Sequence, residues 1–224
     1  MTAVRLAVGA VELDGDFDVP PAATGVVVFA HGSGSSRHSP RNQQVAAALR
    51  AAHLATLLLD LLTPQEEAID VHTAQYRFDI ERLGTRVSAA ADWARGHADL
   101  RALPIGCFGA STGAAAALIA AAARPPVIGA VVSRGGRPDL AGAALRRVTA
   151  PTLLIVGGDD EPVIGMNRAA MRQMHAHVEL EIVPGATHLF EEPGTLEQVA
   201  RLAADWFARY LVGAAGLAQA PLHR

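Results

Sequence analysis

The chain is short of aromatic residues, of charge and of cysteine, and each shortage excludes something. Aromatics are 4% of 224 residues, while half of the residues are hydrophobic. The apolar share is therefore largely alanine, which favours helix and lets helices pack close to a sheet. Only 18% of residues are charged, and that balance excludes a disordered chain. The formal net charge of -3 comes without a basic stripe, so nucleic acid is excluded as a partner. Cys107 is the one cysteine; an internal disulfide is impossible, which agrees with a reducing compartment. The longest apolar run, residues 114–123, is too short to span a membrane. The first residues lack a basic flank and a long apolar run, and Glu12, Asp14 and Asp16 interrupt them. No signal peptide is read there, and the cytoplasm is the expected location.

What the chain does have is alternation. Short runs rich in β-branched residues or leucine lie at 26–30, 55–60, 105–108, 127–132, 152–156 and 178–183. Continuous apolar runs of this length suit strands buried on both faces. Helical segments are expected between and after them, at 42–52, 74–95, 112–123, 140–147, 163–175 and 196–211. The pattern predicts a doubly wound, mostly parallel sheet with helices on both faces. Segments 4–8 and 11–13 are expected as an antiparallel edge pair, and 61–74 as the longest irregular piece and a partial lid. One domain over residues 1–212 is expected, without a large cap, followed by a flexible tail at 213–224.

In parallel α/β sheets ligands bind at the carboxyl ends of strands, so the polar residues just past each strand carry the chemistry. After 26–30 comes His31-Gly32-Ser33-Gly34, a glycine loop able to bring N–H groups to a ligand. Ser33, with Gly34 as substitute, is the candidate donor, and His31 is read as loop support. After 105–108 comes Gly109-Ala110-Ser111-Thr112-Gly113. Read alone, Ser111 is either a helix N-cap or a nucleophile on a sharp turn, with the Thr112 N–H beside it. After 152–156 come Asp159, Asp160 and Glu161; Asp160 is preferred to Asp159 as the partner of a histidine. After 178–183 comes His188, on a loop that Pro184 and Gly185 restrain.

Together these residues occur in the order Ser111, Asp160, His188, which is the chain order of one hydrolase fold. On "HGSGS", "GASTG", "GGDDEPV" and "GATHLFEEPG", the sequence from about Val26 to Tyr210 resembles the α/β-hydrolase superfamily. It is most similar to the compact dienelactone-hydrolase-like branch. The name-giving enzymes of that branch carry a cysteine at the elbow where this chain has Ser111, so the dienelactone substrate is not carried over. Cys107 precedes the turn and reads as a small buried hydrophobe. The resemblance implies a Ser111–Asp160–His188 triad, an oxyanion hole from the Ser33 and Thr112 N–H groups, and hydrolysis of a small or medium carboxylester or thioester through an acyl-enzyme. No cofactor and no metal are implied. The expected partner is a small acyl substrate, with no membrane and no nucleic acid, for a monomer or small homo-oligomer.

Gly34, Arg41 and Arg134 are candidate substrate-binding residues. Arg37, Arg41, Arg77, Arg134 and Arg137 could recognise an anionic group; the preferred reading is loop ties to carboxylates such as Glu161, Asp139 or Asp79. His175 and His177 lack a third metal ligand and read as charge at a helix C-terminus. Trp93, Trp206 and Phe207 are expected to pack helices on the sheet. Acyl transfer to another acceptor and a non-catalytic binding protein remain alternatives. A nucleotide-dependent reductase is disfavoured, because Gly106, Gly109 and Gly113 lie mid-chain with no acid suitably placed after them.

Overall fold

A computed structural model describes residues 1–211. The segment expected as a tail, 213–224, and residue 212 lie outside the described residues. No described helix is long and apolar enough to cross a membrane.

The polar-alternating start forms two antiparallel strands, β1 (Thr2–Val8) and β2 (Val11–Asp18), joined by a turn at Gly9. The apolar runs become β3 (Gly25–Ala30), β4 (Leu54–Leu59), β5 (Ile105–Ala110), β6 (Ile128–Arg134), β7 (Thr152–Gly157) and β8 (Val178–Val183). One eight-stranded sheet results, in the order β1-β2-β4-β3-β5-β6-β7-β8, and all pairs from β4 to β8 are parallel. Strands β3, β4, β5 and β7 are buried along their whole length, as unbroken apolar runs require.

Helices cover both faces. On one lie α1 (Pro40–Ala51) and α6 (Thr195–Tyr210), whose Val45, Leu49, Val199 and Phe207 pack on Val27, Phe29, Phe108 and Val132. On the other lie α3 (Ile80–Gly96) and α4 (Thr112–Ala123) over Val26, Val28, Cys107 and Val131. Every residue of α4 except Ala123 is buried, and its alanines permit that close approach. Gly84 of α3 is part of the same fit: a Cβ there would fall onto Ile119. Burial pushes the Cys107 thiol up to about 12, so it is an inert packing group.

Several expectations need correction. The segment 74–95 is not one helix. A second helix, α2 (Pro64–Thr73), occupies the stretch expected to be irregular, and residues 74–79 turn the chain into α3. Thr63 and Glu66 form a reciprocal cap that starts α2, and Ala74 at φ 57° ends it. Residues Pro138–Arg147 form 3-10 turns broken at Gly142 rather than a regular helix. The last strand, β8, is an edge strand buried only in part, with Glu179 and Glu181 along it. Helix α5 (Glu161–Met171) ends before the two histidines; His177 instead pairs with Glu179 at 2.9 Å and stacks on Trp206.

Candidate active site

The β5–α4 junction is a sharp elbow. Ser111 has φ 50° and ψ -120°, a conformation that costs an ordinary residue about 1–3 kcal/mol. The surroundings enforce it. A Cβ on Gly109 would meet the Ala114 backbone, and one on Gly113 would meet the carbonyl oxygens of Ala30 and His31. The Ser111 carbonyl accepts from the N–H groups of Ala114 (3.1 Å) and Arg137 (3.0 Å), and its N–H donates to the Arg134 carbonyl. Ser111 occupies the N-cap position of α4, yet its hydroxyl makes no capping hydrogen bond.

The loop after β3 crosses directly over this elbow. A Cβ on Gly32 would stand 3.0 Å from the Ser111 Cβ, so only glycine lets the loop pass so near. The Ser33 and Thr112 hydroxyls lie 3.1 Å apart, tying the loop to the start of α4. Among the described residues neither backbone N–H of this pair has an acceptor. His31 holds the loop from below: its Nε2 accepts from the Leu61 N–H at 2.9 Å, so Nδ1 carries the proton and donates to the Gly32 carbonyl at 2.9 Å. Burial depresses its pKa below the usual 6.5. The reading of His31 as loop support matches this arrangement.

Asp160 and His188 meet across the ends of β7 and β8, with His188 Nδ1 2.7 Å from Asp160 Oδ2. The imidazole is about two-fifths exposed and the carboxylate 13% exposed. Gly157 makes the meeting possible, because a Cβ there would strike the Ala186 and Thr187 carbonyls. Asp159 is exposed, so of the two candidate acids only Asp160 reaches the imidazole. Glu192 was not picked out by sequence reasoning; it accepts from the Thr187 N–H at 3.1 Å and hydroxyl at 2.6 Å, fixing the loop just before His188. The Ser111 hydroxyl and His188 Nε2 are each without a partner among the described residues. Contacts of that kind tighten when substrate binds.

Most of the arginines do tie loops, though mainly not to the carboxylates expected. Arg37 pairs with Asp16 and Asp60, and Arg137 with Asp139 at 2.7 Å. Arg77 lies in the turn before α3 and bonds to Asp70 at 2.6 Å. Asp70 is 1% exposed. Burial opposes its ionisation, but the N–H groups of Arg77 and Tyr76 and the Arg77 guanidinium hold its pKa below the ordinary value. No sequence signal marks Asp70, since its role exists only once α2 has folded. Arg41 reaches Glu191 at 2.9 Å. Arg134, the last residue of β6, has no ionic partner among the described residues. A cleft of about 540 Å³ opens beside the loop after β3, lined by His31, Gly34, Ser36, His38, Arg41 and Glu67 among others.

The chain matches the model of the dienelactone hydrolase family over residues 18–211. It is similar to the crystal structure of a dienelactone hydrolase from Anabaena variabilis, with 58% identity and a TM-score of 0.92, covering 94% of this chain and 97% of the other. Est1E from Butyrivibrio proteoclasticus shares the fold, with a TM-score of 0.76 at 18% identity over 92% of this chain and 98% of its own. Among curated proteins, "Putative phosphoribosyl transferase" of Mycobacterium tuberculosis is 55% identical over 210 residues, 94% of this chain. That match covers 46% of the relative, so the chain spans about half the length of the curated relatives it matches.

Proposed function

We propose that this chain, which belongs to the dienelactone hydrolase family, is a serine hydrolase that cleaves an ester-like bond through Ser111, His188 and Asp160. The observation that carries this reading is Ser111. A non-glycine residue is held at φ 50° by close backbone contacts, and its hydroxyl is not spent on capping the helix it begins. Strain of this kind persists only where the surroundings impose it, and it clusters at reacting groups.

The steps follow from the parts. His188 Nε2 takes the Ser111 proton as Oγ attacks the carbonyl carbon. Asp160 holds the Nδ1–H tautomer and stabilises the imidazolium that forms. The N–H groups of Ser33 and Thr112 bind the developing oxyanion, aided by the positive end of α4. The imidazolium then protonates the leaving alcohol or thiol. His188 next takes a proton from water, whose oxygen attacks the acyl-enzyme and releases the acid and free Ser111. The same acyl-enzyme could pass to another acceptor. The chemistry needs no metal or cofactor. The transferase name of the M. tuberculosis relatives covers chains of which this one matches 46%; on this reading that activity belongs to their unmatched part.

The test is labelling by a fluorophosphonate together with turnover of p-nitrophenyl acetate. Both are expected in the native chain and absent in Ser111→Ala. Labelling retained in that variant, or a native chain that neither labels nor turns over ester, overturns the reading.

A further inference from the structure

The charges around the 540 Å³ cleft cancel in pairs, with one exception. Asp60 is engaged by Arg37, Arg41 by Glu191 and Arg77 by Asp70. Arg37 also meets Asp16, so its group carries one negative charge more than positive. Glu67 on α2 is engaged by nothing. Among the described residues its carboxylate accepts no hydrogen bond and pairs with no cation, whereas Glu66 beside it is held by Arg82 and Arg86.

Glu67 is placed to meet a substrate. Pro64 and Glu67, three residues apart, share a face of α2, and both line the cleft. Glu67 also lines a second, narrow cavity of about 10 Å³, together with Gly32, Ser33, Arg77 and Thr112. His31, Gly34, Leu62 and Glu67 are common to both, so the two spaces adjoin and Glu67 stands between the wide cleft and the start of α4. The sheet order sets which part of a substrate passes it. Ser111 follows β5, His188 follows β8, and α2 follows β4, on the side of β5 away from β8. The leaving group must face His188, which protonates it, so the acyl chain is the part directed toward α2.

We propose that Glu67 determines specificity on the acyl side, and that the site takes esters whose acyl chain ends in a primary ammonium group. This rests on the hydrolase reading above. Ser111 attacks the ester carbonyl, water completes the hydrolysis, and the ammonium is bound unchanged, so the products are the amino acid and the alcohol. The cation answers a carboxylate that no residue neutralises, while an acyl chain ending in a carboxylate would bring like charge to it. No Phe, Tyr or Trp lines either space, so a quaternary ammonium would find no aromatic face. Ser35 and Ser36 line the cleft and offer oxygens to the three N–H donors of a primary ammonium.

Three methyl esters of matched length test this: those of β-alanine (cationic), butyric acid (neutral) and succinic acid (anionic). Rates are read with the full chain at low ionic strength and about pH 8, where an ordinary histidine is neutral. The expected order of kcat/KM is cation, neutral, anion, with about tenfold or more between the first and last. Glu67→Gln should bring that ratio to within about threefold, and Glu67→Lys should invert it. A general loss of stability or rate acts on all three esters alike and cancels in the ratio. Any other order in the native chain, no turnover of the cationic ester, or a ratio unchanged in both variants would overturn the proposal. Fluorophosphonate labelling of Ser111 is scored in parallel, so a failed specificity is distinguished from a failed hydrolase reading.

Discussion

His188 and Asp160 lie 28 residues apart in the chain and 2.7 Å apart in space, Nδ1 to Oδ2. The pair orients the ring with Nδ1 toward the carboxylate and leaves Nε2 for the role proposed for it. Asp160→Asn keeps the shape and loses the charge. Ester turnover should fall about 10⁴-fold, the scale seen when a triad aspartate becomes asparagine. Asp159→Asn, at an exposed neighbour, should leave kcat within about twofold of native. Steady-state rates on p-nitrophenyl acetate decide; equal losses in both variants would refute the assignment.

Strain at Ser111 makes a prediction about stability rather than rate. Ser111→Ala and Ser111→Gly should both be inactive, but only glycine adopts φ 50° without cost. The glycine variant should therefore be more stable than the alanine variant by about 1 kcal/mol, after glycine's own entropy is allowed for. Urea midpoints measure this directly. The opposite order would mean that the elbow is relaxed.

Gly113→Ala places a methyl group against the Ala30 and His31 carbonyls. Ala30 cannot retreat, because β3 is paired on both sides. A loss of about 1–3 kcal/mol or more is expected, with a disproportionate fall in kcat as the loop after β3, proposed to hold the oxyanion, shifts. Ala115→Gly, in the same helix, serves as comparison at about 1 kcal/mol without the loop effect.

Acid should weaken the fold in two windows. The folded pKa of His31 is depressed by burial from 6.5. The unfolded chain thus binds a proton first, and stability falls as pH drops below about 6.5. Glu66 adds a second loss. Burial opposes its ionisation, but Arg86 and Thr63 hold it at about 2, against 4.5 when free. Its contribution is complete above about pH 4.5 and disappears as pH falls toward 2. Urea unfolding at pH 7.5, 6.5 and 5.5 should show the first slope, and His31→Gln should flatten it. An unchanged slope would exclude His31 as its source.

The parallel strands and the Ser–Asp–His order were legible because both depend on local pattern: unbroken apolar runs, each followed by glycine or a polar residue. The break between α2 and α3 was not. No glycine or proline marks residues 74–79; the chain turns there because Ala74 accepts a left-handed backbone and Asp70 gathers the Tyr76 and Arg77 N–H groups. The edge position of β8 did have a signal in the alternating Glu179 and Glu181, which its hydrophobic partners concealed. The arginine partners were illegible for a different reason. Which carboxylate Arg77 or Arg37 meets depends on loops folding together, and Arg134 is distinguished by a partner it lacks, which composition does not reveal.

Strand β8 is paired on one side only, and its charged residues guard the open side. The proposed base and nucleophile therefore hang from strands of unequal security: Ser111 follows β5, deep in the sheet, whereas His188 follows the margin. Local opening that frees an edge strand takes less energy than global unfolding. Amide protons of β8 should exchange earlier than those of β5. In mild denaturant the chain should lose its base while the elbow still stands, so activity fades before the fold does.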